Sequence, residues 1–431
     1  MKRLNGIRLP FRKSTDHKPI VPLRTPRKVR IPMLMHKGSP CVPIVGEGDL
    51  VTVGQLIGDA AQPDAVPIHA SVSGVVSSVS DISLDGQTFV PCIEILADKE
   101  QLLSPDCKPV TVTTKEELID AVRKSGCVGL GGSGDATFQK LSAAESFDLL
   151  ILNGAECEPF LSADCRLMTE SPQDIIAGAE LLMKILKIKE VRIGITEDKV
   201  TAIKLLSDIC STKKGIDVCP LPAVYPQGAE KVIVFHTCGR IIPDHQTAAD
   251  QKILVLNVST CAFIYQYTQT GIPLTEKTVT VSGNAVRKPG NYRVPIGTPV
   301  MNLLEAASCD LEAMNLLLNG SVMTGTCIRD LDMPVLRQQN GLTAVKKYKA
   351  PQKSPCFRCG KCLRVCPMRL NPMMLEQAYI QQDLRALERL HVSACINCGS
   401  CSYICPAHRP LAATNQRAKE ILPENREGNA S

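Results

Sequence analysis

The stretch CFRCGKCLRVC, residues 356–366, is followed by Pro367, and the same four-cysteine phrase returns as CINCGSCSYIC at 395–405, followed by Pro406. The spacing C-x2-C-x2-C-x3-C-P lets three thiolates hold one [4Fe-4S] cluster while the fourth reaches its neighbour. Two copies therefore predict two clusters. On this pattern Cys356, Cys359, Cys362 and Cys405 hold one, and Cys395, Cys398, Cys401 and Cys366 hold the other. Zinc sites also use paired C-x2-C units, but they do not explain a second full copy with its proline.

Between the copies, NPMMLEQAYIQQDLRALERLH sets Met373, Ile380, Leu384 and Leu387 at helical spacing, which predicts a helical scaffold for the clusters. From Arg337 to Arg369 there are nine Lys or Arg and no acid. Such a stretch offsets the negative charge of thiolate-bound clusters and suits an acidic electron carrier. Neighbouring clusters relay electrons but do no substrate chemistry, so another part of the chain must feed them.

The whole chain has 431 residues, 44% apolar and 21% charged, as folded multidomain proteins do. Aromatics make up 3% with no Trp, which argues against stacking platforms for nucleic acid, and no nucleic-acid partner is expected. Twenty cysteines, without a signal peptide or an apolar run long enough to span a bilayer, point to reduced thiols in a cytosolic or peripheral protein. Residues 1–37 hold eleven Lys or Arg against the single acid Asp16. They read as a basic arm for an anionic membrane surface or an acidic partner subunit.

Four further modules follow. Residues 38–100 show short alternating runs and tight turns, a compact β module. Its Gly48, Asp49, Val51, Gly54, Gln55 and Ile57, followed by His69, Ala70, Ser73 and Gly74, resemble biotinyl and lipoyl carrier domains of barrel-sandwich type. No lysine occurs from Gly38 to Asp98 to carry a swinging group, so the module reads as structural. Residues 110–270 alternate helical and apolar strand segments (TTKEELIDAVRKSG, LLILNG, QDIIAGAELLMKILKI, VRIGIT, KILVLNVS), which predicts a Rossmann-like α/β layer with a mostly parallel sheet. Residues 274–335 contain a hairpin with turns at Gly283-Asn284 and Pro289-Gly290, then a helix, and NGLTAVKKYKAPQKS reads as a linker into the cluster domain at 350–415.

Within the α/β segment, CVGLGGSGDATFQKL places Gly129, Gly131, Gly132 and Gly134 before a helix, which reads as a phosphate cradle or a simple tight turn. Its company is more specific. KSTDHKPI, GSPCVPIV, HASVSG, VGLGGSG, LILNGAECEP with DCRLM, YPQGAEK, NVST and both cysteine phrases together resemble the C subunit of the Rnf ion-translocating electron-transport complex. A more distant likeness is to the NADH-oxidising flavin subunit of respiratory complex I.

The resemblance implies FMN cradled by Gly129, Gly131, Gly132, Ser133 and Gly134, with Asn153, Glu156 and Glu158 near its ring and ribityl chain and Asn257 and Thr260 near its phosphate. It further implies NADH as electron donor or acceptor, an SLBB β-grasp module at 274–335, other Rnf-type membrane subunits and a ferredoxin-like carrier domain as partners, and a place on the cytoplasmic face of the membrane. Soluble cobalamin reductases and proline-reductase electron carriers share this layout, and a relay or docking subunit without NADH activity is a further alternative. Where the family has Phe-Pro-Thr after its last loop glycine, this chain has Asp135, Ala136 and Thr137, with Phe138 one place on; NGIRLP also replaces the family's GGIHP. Two readings of Asp135 follow: it repels the pyrophosphate of NADH, or it caps the helix beginning near Thr137. Cys157 reads as a small buried filler.

Overall fold

The computed structural model describes residues 4–10, 13–84, 88–347 and 351–422. The segment Lys28–Pro32 alternates Val29 and Ile31 inward with Lys28 and Arg30 outward, the two-residue period of a strand with one wet face. It forms the edge of an antiparallel sheet with Phe89–Ala97, Gly74–Ser83 and Leu50–Val51. A smaller sheet of Val42–Pro43, Leu56–Asp59 and Ile68–His69 joins it through a core that includes Met33, Ile57 and Ile93.

The basic N-terminal segment is thus not a free arm. Besides Lys28–Pro32, its Ile20–Pro22 pairs in parallel with Gly290–Pro295, and Ile7 bridges Tyr225. Lys13 and Thr15 are buried. The side-chain amide of Asn291 donates to the carbonyls of Thr15 (2.9 Å) and Lys18 (3.1 Å). Charge hides this in the sequence, because eleven lysines and arginines outweigh the short apolar runs at 20–23 and 31–35, of which Ile31, Met33 and Met35 are buried.

In the α/β domain, helix Lys115–Lys124 starts at Thr114, whose hydroxyl accepts from the Glu117 amide while the Glu117 carboxylate reaches back. Four parallel strands follow in the spatial order Ile216–Leu221, Glu190–Thr196, Leu149–Asn153, Ile253–Asn257. The first four residues of Leu149–Asn153 are all buried, as a strand covered on both faces requires. Along the chain this order is third, second, first, fourth. The direction of winding therefore reverses between Leu149–Asn153 and Ile253–Asn257, and the crevice beyond Asn153 and Asn257 is where such sheets bind ligands.

Next comes a six-stranded mixed sheet in the order Ile20–Pro22, Gly290–Pro295, Glu276–Ser282, Gly341–Lys346, Met314–Asn319, Thr326–Ile328, packed on helix Val300–Ala306. Gly341–Lys346, which reads as linker, is an inner strand, because Leu342 and Ala344 supply two apolar anchors that Lys346 and the lysines following it obscure.

The two cysteine phrases fold alike. Arg358 and Asn397 have φ of 56° and 51°, Gly360 and Gly399 of 72° and 78°, Arg369 and His408 of 55° and 51°. The scaffold between them is two helices, Pro372–Ile380 and Leu384–Arg389, rather than one. Asp383 starts the second by accepting from the Ala386 amide. The break turns Ile380 outward, 64% exposed, and the core is made by Leu375, Ala378 and Leu387 instead. No helix among the described residues is long and apolar enough to cross a membrane.

Candidate functional site

The fold brings the cysteines into two sets. Cys366 lies near Cys395 and Cys398, and Cys401 faces all three. Cys362 neighbours Cys405, and Arg409 sits beside both Cys356 and Cys405. Cys366 thus sits with cysteines of the second phrase, and Cys405 with those of the first. Cys356 and Cys359 lie at the surface. Amides of Arg358 and Leu370 point at the sulfurs of Cys356 (3.4 Å) and Cys366 (3.3 Å), hydrogen bonds that favour sulfur carrying negative charge.

At the crevice predicted by the strand order lies a half-open cavity. Gly131, Asn153, Glu156, Glu158 and Asn257 line it, together with Tyr225, Asp164, Gly228 and Asn340, and with Ile396 and Cys398 of the second phrase. Not every expected residue faces it. Gly129, Gly132, Ser133 and Gly134 build the loop behind Gly131; the Gly129 amide donates to Asp135 O (2.9 Å), and the Gly134 amide to Gly129 O (3.2 Å). Thr260 is buried and holds this loop, its hydroxyl accepting from the Leu130 amide at 3.0 Å.

The polar groups at the rim divide into committed and free. Asn257 caps helix Val258–Thr270 by accepting from the Ser259 amide (2.8 Å), and its amide donates to Asp164 Oδ2 (2.6 Å). Asn153 donates to Gly228 O at 2.8 Å. Glu156 accepts from the amides of Asp164 (2.8 Å) and Cys165 (3.1 Å) and pairs with Lys13 at 4.0 Å, so it is a structural carboxylate. Burial pushes it up, against the pull of Lys13.

Glu158 is different. Its Oε1 accepts from the Thr324 hydroxyl (2.7 Å) and meets the Tyr225 hydroxyl (3.2 Å), while buried Oε2 has no partner. The phenol has one hydrogen, and its shorter contact, 2.7 Å, is to the carbonyl of Cys398, which can only accept. The Glu158 contact is therefore complete only when that carboxyl carries a proton, the direction in which burial pushes it. Cys157 is a partly buried filler whose sulfur accepts from the Gly228 amide.

Lys13, Asp164 and Tyr225 are absent from the residues expected at the site. All three lie in phrases that carried the family resemblance, KSTDHKPI, DCRLM and YPQGAEK, but only the tertiary fold pairs them with Glu156, Asn257 and Cys398.

Asp135 fits neither reading made of it. It is ion-paired with Lys37 (2.8 Å) and Lys140 (3.5 Å), and the Lys37 amide also donates to Gly134 O (2.9 Å). Burial pushes its carboxyl up, but the Lys37 hydrogen bond and the two lysine charges outweigh this and leave it below the usual range. Two lysines offset the charge that was to repel NADH. The helix at Thr137–Ser142 has Ala136 at its cap, without a side-chain bond. Phe138 is buried under the Arg123 guanidinium, 5.2 Å from its ring centre. Asp135→Phe is accordingly expected to give no gain in NADH binding. It should loosen the glycine loop by up to about 1 kcal/mol, read as weaker FMN retention in titrations. Because the folded carboxyl titrates below its unfolded value, the clamp is complete above the ordinary aspartate range and is lost as pH falls through the lowered one.

Comparison with known proteins places each module. The RnfC barrel-sandwich hybrid domain matches residues 2–100, the Nuo51 FMN-binding domain 122–266, the SLBB domain 278–308 and a 4Fe-4S dicluster domain 349–406. The chain is 36% identical over 435 residues to the C subunit of the Na(+)-translocating ferredoxin:NAD(+) oxidoreductase complex of Acetobacterium woodii, covering 98% of both chains. It is 35% identical to the proton-translocating counterpart of Clostridium ljungdahlii over 84% of this chain and 81% of that one. Against the C subunit of the ion-translocating oxidoreductase complex of Rhodobacter capsulatus the identity is 36%, over 93% and 79%. In fold it is similar to a chain of an NAD+-reducing [NiFe]-hydrogenase, with a TM-score of 0.50 and 18% identity, covering 72% of this chain and 61% of that one. With its barrel-sandwich, FMN-binding, SLBB and dicluster modules in this order, the chain belongs to the RnfC family, the C subunits of ion-translocating oxidoreductase complexes.

Proposed function

We propose that this chain passes electrons between NADH and ferredoxin-linked membrane partners, through FMN and two [4Fe-4S] clusters, with the cluster of the second phrase next to the flavin. The observation that carries this reading is that Ile396 and Cys398 form part of the wall of the cavity at the sheet's switch point.

The residues present fit both groups. A Cβ on Gly131 would stand 2.7 Å from the Asn257 side-chain nitrogen, so glycine keeps the loop backbone open to a close approach. The orphaned Glu158 Oε2 gives the same wall a free polar atom. FMN, when bound, supplies the exchange between a two-electron hydride and single electrons. The chain's own residues shape its seat. Gly131 brings main chain to the cavity, Asn153 and Asn257 fix the strand ends, and Glu158 presents its carboxyl at the rim. Cys395, Cys398, Cys401 and Cys366 would hold the flavin-side cluster, and Cys356, Cys359, Cys362 and Cys405 the outer one.

At the outer end, Phe357 is 61% exposed between two surface cysteines, with Arg358, Lys361 and Arg364 exposed beside it. This basic rim with an apolar centre suits an acidic ferredoxin-like carrier domain. Arg24 and Arg27 of the N-terminal segment remain exposed, as suits a peripheral chain that meets an anionic membrane surface or other Rnf-type subunits on the cytoplasmic face.

The test is anaerobic loading with FMN, iron and sulfide, followed by NADH. Flavin absorbance should bleach and the clusters should then become reduced, whereas Gly131→Ala should lose FMN and both responses. Clusters that chemical reductant reduces while NADH leaves the flavin oxidised would show instead a relay chain without NADH activity.

A further inference from the structure

We infer that Tyr225 is a positioning residue for electron exit: its hydroxyl holds the Cys398 main chain, and with it the second cysteine loop, against the flavin cavity. The inference rests on the reading that this loop carries the flavin-side cluster.

The phenol is well placed to act as a fixed post. Tyr225 is 3% exposed, and its backbone is locked on both sides by the N-terminal segment, the Ile7 amide donating to Tyr225 O (2.9 Å) and the Tyr225 amide to Ile7 O (2.8 Å). The hydroxyl of a ring so held has little freedom, and it donates to Cys398 O at 2.7 Å. From the other side the loop is closely packed. Gly399 has φ of 78°, and a Cβ there would stand 2.8 Å from Met323 O. The same turn supplies Thr324, which binds Glu158. The second loop is therefore gripped between the α/β domain and the β-grasp module, with the cavity wall running through Tyr225 and Glu158. A second tie between the α/β domain and the cluster domain, His391 to Asp244 at 3.3 Å, has its histidine 68% exposed, where water and salt screen it. Tyr225 is the buried one.

Removing the hydroxyl while keeping the ring leaves a carbonyl without its donor, and the ratio of seated to unseated loop falls by roughly a factor of ten. Electron transfer from flavin to cluster falls with it. Flavin binding and flavin reduction do not, since the ring still fills the wall.

The experiment uses full-length protein loaded with FMN and both clusters, with the flavin reduced photochemically so that the outcome does not depend on NADH. Tyr225→Phe is expected to leave FMN content unchanged, to slow reduction of the second-phrase cluster about tenfold, and to shift that cluster's midpoint potential and electron paramagnetic resonance spectrum while the first-phrase cluster keeps its own. Thr324→Val, which removes a Glu158 bond but not the Cys398 bond, should leave the rate intact. Ile7→Pro removes the amide that holds the Tyr225 carbonyl and should slow the same step, which settles the matter if Tyr225→Phe loads poorly. An unchanged transfer rate in Tyr225→Phe, or in Ile7→Pro where that variant decides, overturns the inference, as does Thr324→Val slowing transfer equally. Failure of NADH to bleach the native flavin would instead count against the NADH reading and leave this result standing.

Discussion

Serine in place of Cys366 is expected to lower the iron content of anaerobically loaded protein from about eight atoms to about four. The cluster lost should be the one built on Cys395, Cys398 and Cys401, although Cys366 belongs to the other phrase. Cys366 is buried near Cys395 and Cys398, and the Leu370 amide is directed at its sulfur. Cys405→Ser should do the reverse and remove the cluster on Cys356, Cys359 and Cys362. Iron analysis with resonance spectra of each variant checks both. Loss of the first-phrase cluster in Cys366→Ser would mean that each phrase closes on itself, and stoichiometric zinc without iron would remove the electron-relay account.

Deleting residues 1–20 is expected to abolish flavin binding and much of the stability of the α/β domain. Lys13 is the buried counter-ion of Glu156, and Thr15 is fully buried, its hydroxyl 2.5 Å from that of Ser162. Ile7 carries the backbone that fixes Tyr225. Lys13→Met isolates the charge effect. It leaves the buried Glu156 with only the charge of Lys199 beside it, a loss of up to about 3–5 kcal/mol, the range for removing one partner of a buried pair. Denaturant titration of both variants beside native protein checks this. A truncated chain with native midpoint and native FMN content would restore the view of the segment as a free basic arm.

These two results probe the parts of the molecule that were read best and worst. The cysteine phrases are legible because cluster ligation imposes spacing on consecutive residues, and the capping box at Thr114 and Glu117 is equally local. The parallel strands show as unbroken apolar runs such as Leu149–Leu152. Lys28–Pro32 is obscured because Lys28 and Arg30 alternate with its two inward apolar residues, Val29 and Ile31, and Gly341–Lys346 because its short run with Leu342 and Ala344 leads straight into Lys346, Lys347 and Lys349. Ile380 and Leu384 keep helical spacing across Gln382, but Gln382 has φ of 54° and breaks the helix there. Spacing alone cannot register such a turn. At the site, the glycine loop and NGAECEP were visible as motifs, but not the division of labour between Glu156, capped and paired, and Glu158, with an unpartnered oxygen. That division depends on Lys13 and Tyr225, which reach the cavity from more than sixty residues away along the chain. Asp135 shows the same limit, since its charge can be judged only with Lys37 and Lys140 beside it.

The central claim is the order flavin, second-phrase cluster, first-phrase cluster. Rapid-freeze resonance spectroscopy after flavin reduction tests it most directly in the two serine variants. Cys405→Ser, lacking the outer cluster, should still reduce the second-phrase cluster at the native rate. Cys366→Ser, lacking the inner one, should hold its electrons on the flavin while the intact first-phrase cluster stays oxidised. Prompt reduction of the first-phrase cluster in Cys366→Ser would contradict the order.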